Sequence, residues 1–336
     1  MIELVKSVVS LIIGFIFSTI FGLIIIPILK KNHINQTLNR FLERTHKSKK
    51  NTPTMGGIIF IIPTILITTI FIMLKKISLT YNLIIIIFTL ISYSIVGFID
   101  DYLIIKKHNN KGLSKTGKFV MQVIIAIIFF YLFMKAGNEP LLWIHTLKIK
   151  KNIGWLYGII ILFILTASSN AVNLTDGLDG LAGGLSVISL TTFGIIVWFT
   201  DWLLGYEDIA VFTFVLIGSL LGFLIYNAPK AQIFMGDTGS LSLGATLGAY
   251  SIITRHEILL ILIGLVFVIE TATTIIQIIV YKITKKRVFK MTPIHHTFEL
   301  NGWKEENIVK LFWVIGFISC MISLIWGVVL WIKKFW

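Results

Sequence analysis

Residues 170–184 read NAVNLTDGLDGLAGG, and apolar sequence hems them in: a near-continuous hydrophobic run from Trp155 to Val172 leads in, and another from Leu178 to Phe199 leads out. Two runs of this length read as consecutive membrane-spanning helices. Asp176 and Asp179 then sit at a tight turn between them. A carboxylate at that depth is costly unless something cationic meets it. The plainer reading makes the two aspartates helix caps, since Asp and Gly are the usual residues of such turns.

Composition extends this reading to the whole chain. Of 336 residues 56% are hydrophobic and 14% charged, with a mean hydropathy of +0.90, whereas about a quarter of a soluble domain is charged. Ten apolar runs have the length of spanning helices. They cover approximately 4 to 29, 55 to 74, 82 to 99, 119 to 134, 155 to 172, 178 to 199, 209 to 226, 238 to 254, 257 to 281 and 311 to 332. The predicted fold is therefore all-α, a polytopic membrane protein of about ten transmembrane helices. No internal repeat, low-complexity tract or long linker divides it, so residues 1–336 read as a single transmembrane helical domain. The first run is too long for a signal peptide and ends in Lys30 and Lys31 without a cleavage site. The one cysteine, Cys320, permits neither an intramolecular disulfide nor a cysteine metal site.

The net charge of +14 does not point to nucleic acid, because the basic residues lie in short loops and form no single basic face. They read as topology instead. Most of the 30 Lys and Arg residues fall in the loops after the odd-numbered runs and in the stretch before the tenth, which the positive-inside bias assigns to the cytoplasm. With ten spans, both termini are then extracytoplasmic. Lys135, Lys148, Lys150 and Lys151 dissent, lying on the side assigned as outer.

This topology gathers Asp100, Asp101, Asp176, Asp179 and Asp237 on one membrane face. Three separate acidic turns at one depth repel one another unless they share a hard cation, and carboxylate oxygens suit Mg²⁺, which also takes phosphate oxygens. Lys118 and Lys49 lie on the same side. Thr52 to Gly57 enter the second run either as an ordinary helix start with a Pro-Thr entry, the plainer reading, or with backbone N–H groups free for an anion. His295 and His296 fall in a Pro-containing segment expected to be a loop. Adjacent histidines lack the spacing of a helical zinc site, so phosphate binding or proton handling is expected, with a plain surface loop as the alternative. Glu270 and Gln277 lie within the ninth run on one helix face, expected either to meet a polar groove or to hydrogen-bond a neighbouring helix.

Five segments carry a family resemblance: KKNTPTMGG at 49–57, FIDDY at 98–102, NAVNLTDGLDGLAGG at 170–184, YNAPKAQIFMGDTGSLSLG at 226–244 and PIHHTFE at 293–299. In order and spacing they resemble the bacterial phospho-N-acetylmuramoyl-pentapeptide-transferase (MraY) family, within the wider polyprenyl-phosphate N-acetylhexosamine-1-phosphate transferase superfamily. The resemblance implies transfer of phospho-MurNAc-pentapeptide from its UDP-linked donor to undecaprenyl phosphate, giving lipid I and UMP with Mg²⁺. It further implies a homodimer in the bacterial cytoplasmic membrane, with the active site on the cytoplasmic face. Matched positions make Asp100, Asp101 and Asp237 catalytic acids, Asp237 the metal ligand, and His295 and Lys118 part of the polar site. Asn173, Asp176, Asp179 and Phe234 would line the nucleoside site, with Lys49, Thr54, Asn227, Gln277 and His296 nearby. The chain departs from the family pattern at three positions, with Asn51 for a usual Gly, Ile104 for a usual Lys and Thr297 for the third His of a triplet.

Two rivals stand beside this reading. A secondary transporter is also polytopic, but its polar site lies near the bilayer midplane, commonly between repeated halves, whereas these acids gather at one face. A polyprenyl-phosphate GlcNAc-1-phosphate transferase shares the acidic segments. PTMGG and PIHH point away from it.

Overall fold

The computed structural model describes residues 2–32, 34, 52–107, 112–144, 149–200 and 203–332. Each of the ten apolar runs forms helix. These are α1 (Ile2–Lys31), α2 (Ile58–Met73), α3 (Tyr81–Lys107), α4 (Lys115–Lys135), α5 (Tyr157–Thr175), α6 (Leu181–Trp198), α7 (Tyr206–Asn227), α8 (Gly236–Ile253), the pair α9 (Leu259–Ile263) and α10 (Leu265–Thr284), and α12 (Glu305–Ile332). A short helix, α11 (Ile294–Leu300), precedes α12. A hairpin of β1 (Leu141–Ile144) against β2 (Ile149–Asn152) links α4 to α5. The chain is an all-α polytopic membrane protein. Among the described residues eight helices are long and apolar enough to cross a membrane; α2 falls short in length, and α8 is not among the eight.

The ninth run departs from the single helix expected at 257–281. It breaks at Gly264, between α9 and α10. A break within a bilayer frees carbonyls that need new donors. Here they find them on α6 and α12: Ser319 Oγ donates to the Leu262 carbonyl at 2.6 Å, and Ser189 Oγ to that of Ile263 at 3.1 Å.

The centre of the molecule is α8, buried at every residue from Thr238 to Ile253. Its sequence, TGSLSLGATLGAYSII, is largely small, so α3 and α5 can lie close against it. The approach is tightest where α3 passes the start of α8. A methyl group on Gly97 would stand 2.1 Å from the Asp237 carbonyl oxygen, far inside contact distance. Likewise a methyl on Gly57 would stand 2.4 Å from the backbone nitrogen of Gly239. These glycines let the chain bring Asp101 and Thr54 up to the first turn of α8.

Candidate active site

A helix start leaves backbone N–H groups without intrahelical partners, and a carboxylate is a favourable partner for them. For α8 that carboxylate comes from α3. Asp101 Oδ1 accepts from the Asp237 backbone N–H at 3.0 Å, while Oδ2 accepts from the Thr238 backbone N–H at 2.9 Å and from Thr238 Oγ1 at 2.7 Å. Asp101 is 5% exposed, and both its oxygens are engaged in holding the two helices in register.

That register presents Asp237 to α4 and α5. Lys118, in the first turn of α4, donates from Nζ to Asp237 Oδ2 at 2.9 Å and stands 3.7 Å from Asp100 Oδ2. Asn173, near the end of α5, donates to Asp237 Oδ1 at 2.8 Å and to Ser240 Oγ at 2.9 Å. Asp100 is the less committed of the two acids on α3. Its Oδ1 accepts from the Leu113 backbone N–H at 2.5 Å.

The turn after α5 closes the next side. Burial, reinforced by the charges of Asp237, Asp101 and Asp179, pushes the Asp176 carboxyl up to about 8. Asp179 Oδ2 accepts from the Ala231 backbone N–H at 3.0 Å, while its own N–H donates to Glu305 Oε1 at 2.7 Å. Asn227 accepts from the Gly180 N–H at 3.2 Å and donates to the Ile233 carbonyl at 3.0 Å. Asp179 and Asn227 thus clamp the 176–180 turn to the 228–235 segment. Phe234 sits in that segment, half-buried, its backbone paired with Pro53 and Gly56.

At the start of α2 the plainer of the two readings holds for Thr54, Gly56 and Gly57, whose N–H groups are paired. Those of Gly56 and Gly57 donate to the Phe234 and Met235 carbonyls at 2.8 and 2.9 Å, and that of Thr54 donates to the Ile34 carbonyl at 3.0 Å. The glycine pair serves close packing here. Thr54 still borders the site, because a methyl on Gly236 would lie 2.9 Å from its hydroxyl. Lys49 and Asn51 lie outside the described residues.

His295 and His296 open α11, which corrects the expected loop. His295 is fully buried, its Nδ1 3.2 Å from Glu270 Oε2 on α10. The opposite ring edge presses on the acidic turn, since a methyl on Gly177 would stand 2.3 Å from Nε2. His296 Nδ1 pairs with Glu299 Oε2 at 2.6 Å. Gln277 does share a face with Glu270, and both serve the same segment: Gln277 Oε1 accepts from the Val288 and Phe289 N–H groups, each at 3.0 Å. Thr297 donates to the Met291 carbonyl at 2.6 Å, closing the loop before α11.

The structure therefore brings Asp100, Asp101, Asp176, Asp237, Lys118 and Asn173 into one group, with His295 against its edge. Among the described residues the ion pairs of this group come from Lys118 alone, so it carries excess negative charge. Sequence reading had weighed Glu270 without placing it in the site, and had not marked Thr238, Ser240 or Glu305. Thr238 and Ser240 stood in view within the FMGDTGS segment. Glu305 gave no signal, because nothing local ties it to a turn more than a hundred residues upstream.

Beside the group runs an apolar groove of about 720 Å³ between α4, α5 and α10. Its walls include Phe119, Ala171, Val172, Ala272 and Ile275, of which Phe119 adjoins Lys118 and Val172 adjoins Asn173 in sequence.

Comparison with known proteins agrees with this architecture. Residues 83–255 match glycosyl transferase family 4, and residues 49–61 match phospho-N-acetylmuramoyl-pentapeptide-transferase signature 1. A phospho-N-acetylmuramoyl-pentapeptide-transferase from Oceanobacillus iheyensis is 39% identical over 323 residues, covering 96% of this chain and 98% of the relative. Relatives of the same name from Geobacillus thermodenitrificans and Bacillus subtilis are 40% and 38% identical, each covering 94% of this chain and 96% of its own length. With its acidic cluster, its α3–α8 register and these relatives in agreement, the chain belongs to the phospho-N-acetylmuramoyl-pentapeptide-transferase family.

Proposed function

We propose that this protein transfers phospho-MurNAc-pentapeptide from UDP-MurNAc-pentapeptide to undecaprenyl phosphate, producing lipid I and UMP in the membrane stage of peptidoglycan synthesis. The observation that carries the proposal is the junction of an acidic cluster with an apolar groove. Asp100, Asp237 and Lys118 meet at one point, and the groove walls include Phe119 and Val172, the sequence neighbours of Lys118 and Asn173, which suits an acceptor whose head is a phosphate and whose tail is hydrocarbon.

Magnesium fits the donor set. Asp100, Asp101 and Asp237 gather around the Lys118 ammonium, and burial first, then the charges of Asp237, Asp101 and Asp179, raises the Asp176 carboxyl to about 8, which is the situation a hard dication relieves. Among the described residues no three His, Cys, Asp or Glu side chains close on one point, so Asp237 would hold the ion together with substrate oxygens. When bound, Mg²⁺ supplies charge neutralisation for a pyrophosphate and for the departing UMP.

The remaining chemistry belongs to the chain. A lipid phosphate oxygen forms a bond to the sugar-bearing phosphorus, the bond from that phosphorus to the bridging oxygen breaks, and UMP leaves with the electron pair. The second pKa of a phosphate monoester lies near ~6, so the acceptor needs little help to ionise. Asp100 orients it and takes up any residual proton. Asp101, with both oxygens bonded to α8, acts by holding Asp237 in place. Lys118 offsets charge as it accumulates. Glu270 fixes the His295 ring so that Nε2 faces the 176–180 turn, where the donor's nucleoside end would lie against Asn173, Asp176 and Phe234. We place the reaction on the cytoplasmic face of the bacterial plasma membrane, with ten spans, both termini outside, and two copies forming a homodimer.

Purified protein with undecaprenyl phosphate and Mg²⁺ should release UMP from UDP-MurNAc-pentapeptide and not from UDP-GlcNAc. The opposite preference would transfer the assignment to the GlcNAc-1-phosphate branch.

A further inference from the structure

The 176–180 turn is held from one side that the chemistry above does not use. Glu305, partly buried in the first turn of α12, accepts from the Asp179 backbone N–H through Oε1 at 2.7 Å. On the same face of α12, Trp313 donates from Nε1 to the Leu181 carbonyl at 3.4 Å. The two side chains therefore grip the chain on either side of Gly180, where the turn passes into α6.

An acid in the first turn of a helix is favourable by itself, and Glu306, exposed at the next position, needs no other account. Glu305 differs because of what it meets. Asp179 is 2% exposed, and a backbone N–H at such a position is unfavourable without an acceptor. That acceptor comes from α12.

The same stretch of chain reaches the turn a second time. α11 presses the Nε2 edge of His295 against Gly177, and α11 is joined to α12 through Phe298, whose ring meets those of Trp303 and Phe312 edge-on at centroid distances of 5.3 and 5.7 Å. One corner thus touches Gly177 and Asp179, on the side of Asp176 that leads into α6.

We propose that Glu305 is a positioning residue for the UDP-linked donor: by holding the Asp179 N–H it fixes the turn on which Asp176 meets the uridine nucleotide. The inference rests on the donor-site reading given above. Glu305 acts through the turn and touches neither Asp100 nor Lys118, so its loss is felt by the donor's nucleotide end and not by the lipid phosphate.

The test uses the full chain in lipid, with UMP binding measured by calorimetry and KM measured separately for donor and acceptor. Glu305→Met should weaken UMP binding and raise the donor KM by about tenfold, the effect of losing one hydrogen bond to a charged group. Its kcat and its KM for undecaprenyl phosphate should stay near wild type. Glu305→Gln keeps an oxygen acceptor at the same reach and should remain within about threefold of wild type. Glu306→Met should change nothing. A merely structural role would lower the active fraction, and with it kcat, while leaving both KM values alone. Where Glu305→Met does not fold, Glu305→Asp takes its place, since it keeps the first-turn charge but withdraws the acceptor by one methylene. Wild-type donor affinity in the folded variant, an equal loss in Glu305→Gln, or a parallel rise in the acceptor KM overturns the inference. So does failure of both Glu305→Met and Glu305→Asp to fold, which would make Glu305 a stability residue. A wild type that binds UMP but does not turn over UDP-MurNAc-pentapeptide would instead sink the proposed reaction, leaving Glu305 to be judged by UMP binding.

Discussion

Asp100 and Asp101 are neighbours in sequence with different work. Asp101 accepts three hydrogen bonds from the first turn of α8, whereas Asp100 accepts one from Leu113 and faces Lys118 at ion-pair distance. Asp101→Asn would turn an N–H group toward backbone donors. It is expected to destabilise the protein by about 1–3 kcal/mol, read as a lower Tm, and to stop turnover. Asp100→Asn should stop turnover with Tm near wild type and with Mg²⁺-dependent donor binding intact. Asp237→Asn should lose turnover and that binding together. Equal Tm losses in the two α3 variants, or a full magnesium effect on donor binding in Asp237→Asn, would refute this division. Asp176 offers a test through pH. Its carboxyl loses a proton near 3.8 in the unfolded chain and near 8 in the folded one, so between these values the folded form binds the extra proton and stability falls as pH rises. In metal-free buffer Tm should decline from pH ~4 to ~8, and Asp176→Asn should flatten that decline. These residues stood out in the sequence because FIDDY, NAVNLTDGLDG and FMGDTGS are distinctive strings. Their division of labour did not, since which carboxylate caps α8 depends on how closely α3 approaches it.

At the scale of elements, sequence reading succeeded where a helix is specified by its own apolar run and failed where its shape depends on partners remote in the chain. The run at 257–281 is so uniformly apolar that its break at Gly264 leaves little mark, and the hydroxyls that satisfy the freed carbonyls come from Ser189 and Ser319. PIHHTFE likewise reads as a loop because of its proline, yet Pro293 stands just before the first turn of α11, where proline is tolerated. Whether the N–H groups of PTMGG are free or paired could not be decided locally, because the acceptors of Gly56 and Gly57, the carbonyls of Phe234 and Met235, lie far along the chain. The α3–α8 approach carries the sharpest element-scale prediction. In Gly97→Ala the new methyl meets the Asp237 carbonyl oxygen, the two backbones must part, and the Asp101 cap and the Lys118 pair are displaced together. An overpacking cost of about 1–3 kcal/mol and a loss of roughly a hundredfold in kcat are expected. Gly158→Ala is the control, since its methyl would rest 3.6 Å from the Phe130 ring in ordinary contact and should leave both quantities unchanged. Wild-type kcat in Gly97→Ala would mean that the close approach is not what positions the site.

For the whole molecule the question is which end faces which compartment, and here geometry and charge can be set against each other. The acidic cluster lies where α3 ends and α6 begins. Lys286 follows α10 beside the Gln277-bound segment at that same end, while Leu204 lies beyond the far end of α6, roughly 27 Å away along a helix of this length. The site end carries Lys282, Lys285, Lys286, Arg287 and Lys290, and the far end carries Glu207 and Asp208 at the start of α7. Positive residues mark the cytoplasmic side, and the orientation proposed above on that basis would put the cluster where a soluble nucleotide donor can reach it. The hairpin pulls the other way with Lys150 and Lys151, although Lys150 is engaged over the Trp143 ring at 5.0 Å. Single cysteines decide between them. In a Cys320→Ala background, which removes a fully buried thiol, Leu204→Cys should react with a membrane-impermeant thiol reagent in intact cells, and Lys286→Cys only after permeabilisation. Labelling of both from one side would contradict the two-ended arrangement. A clean reversal, with Lys286→Cys reactive in intact cells, would put the acidic cluster outside, beyond reach of a cytoplasmic UDP-linked donor, and the proposed orientation of the reaction would fall with it.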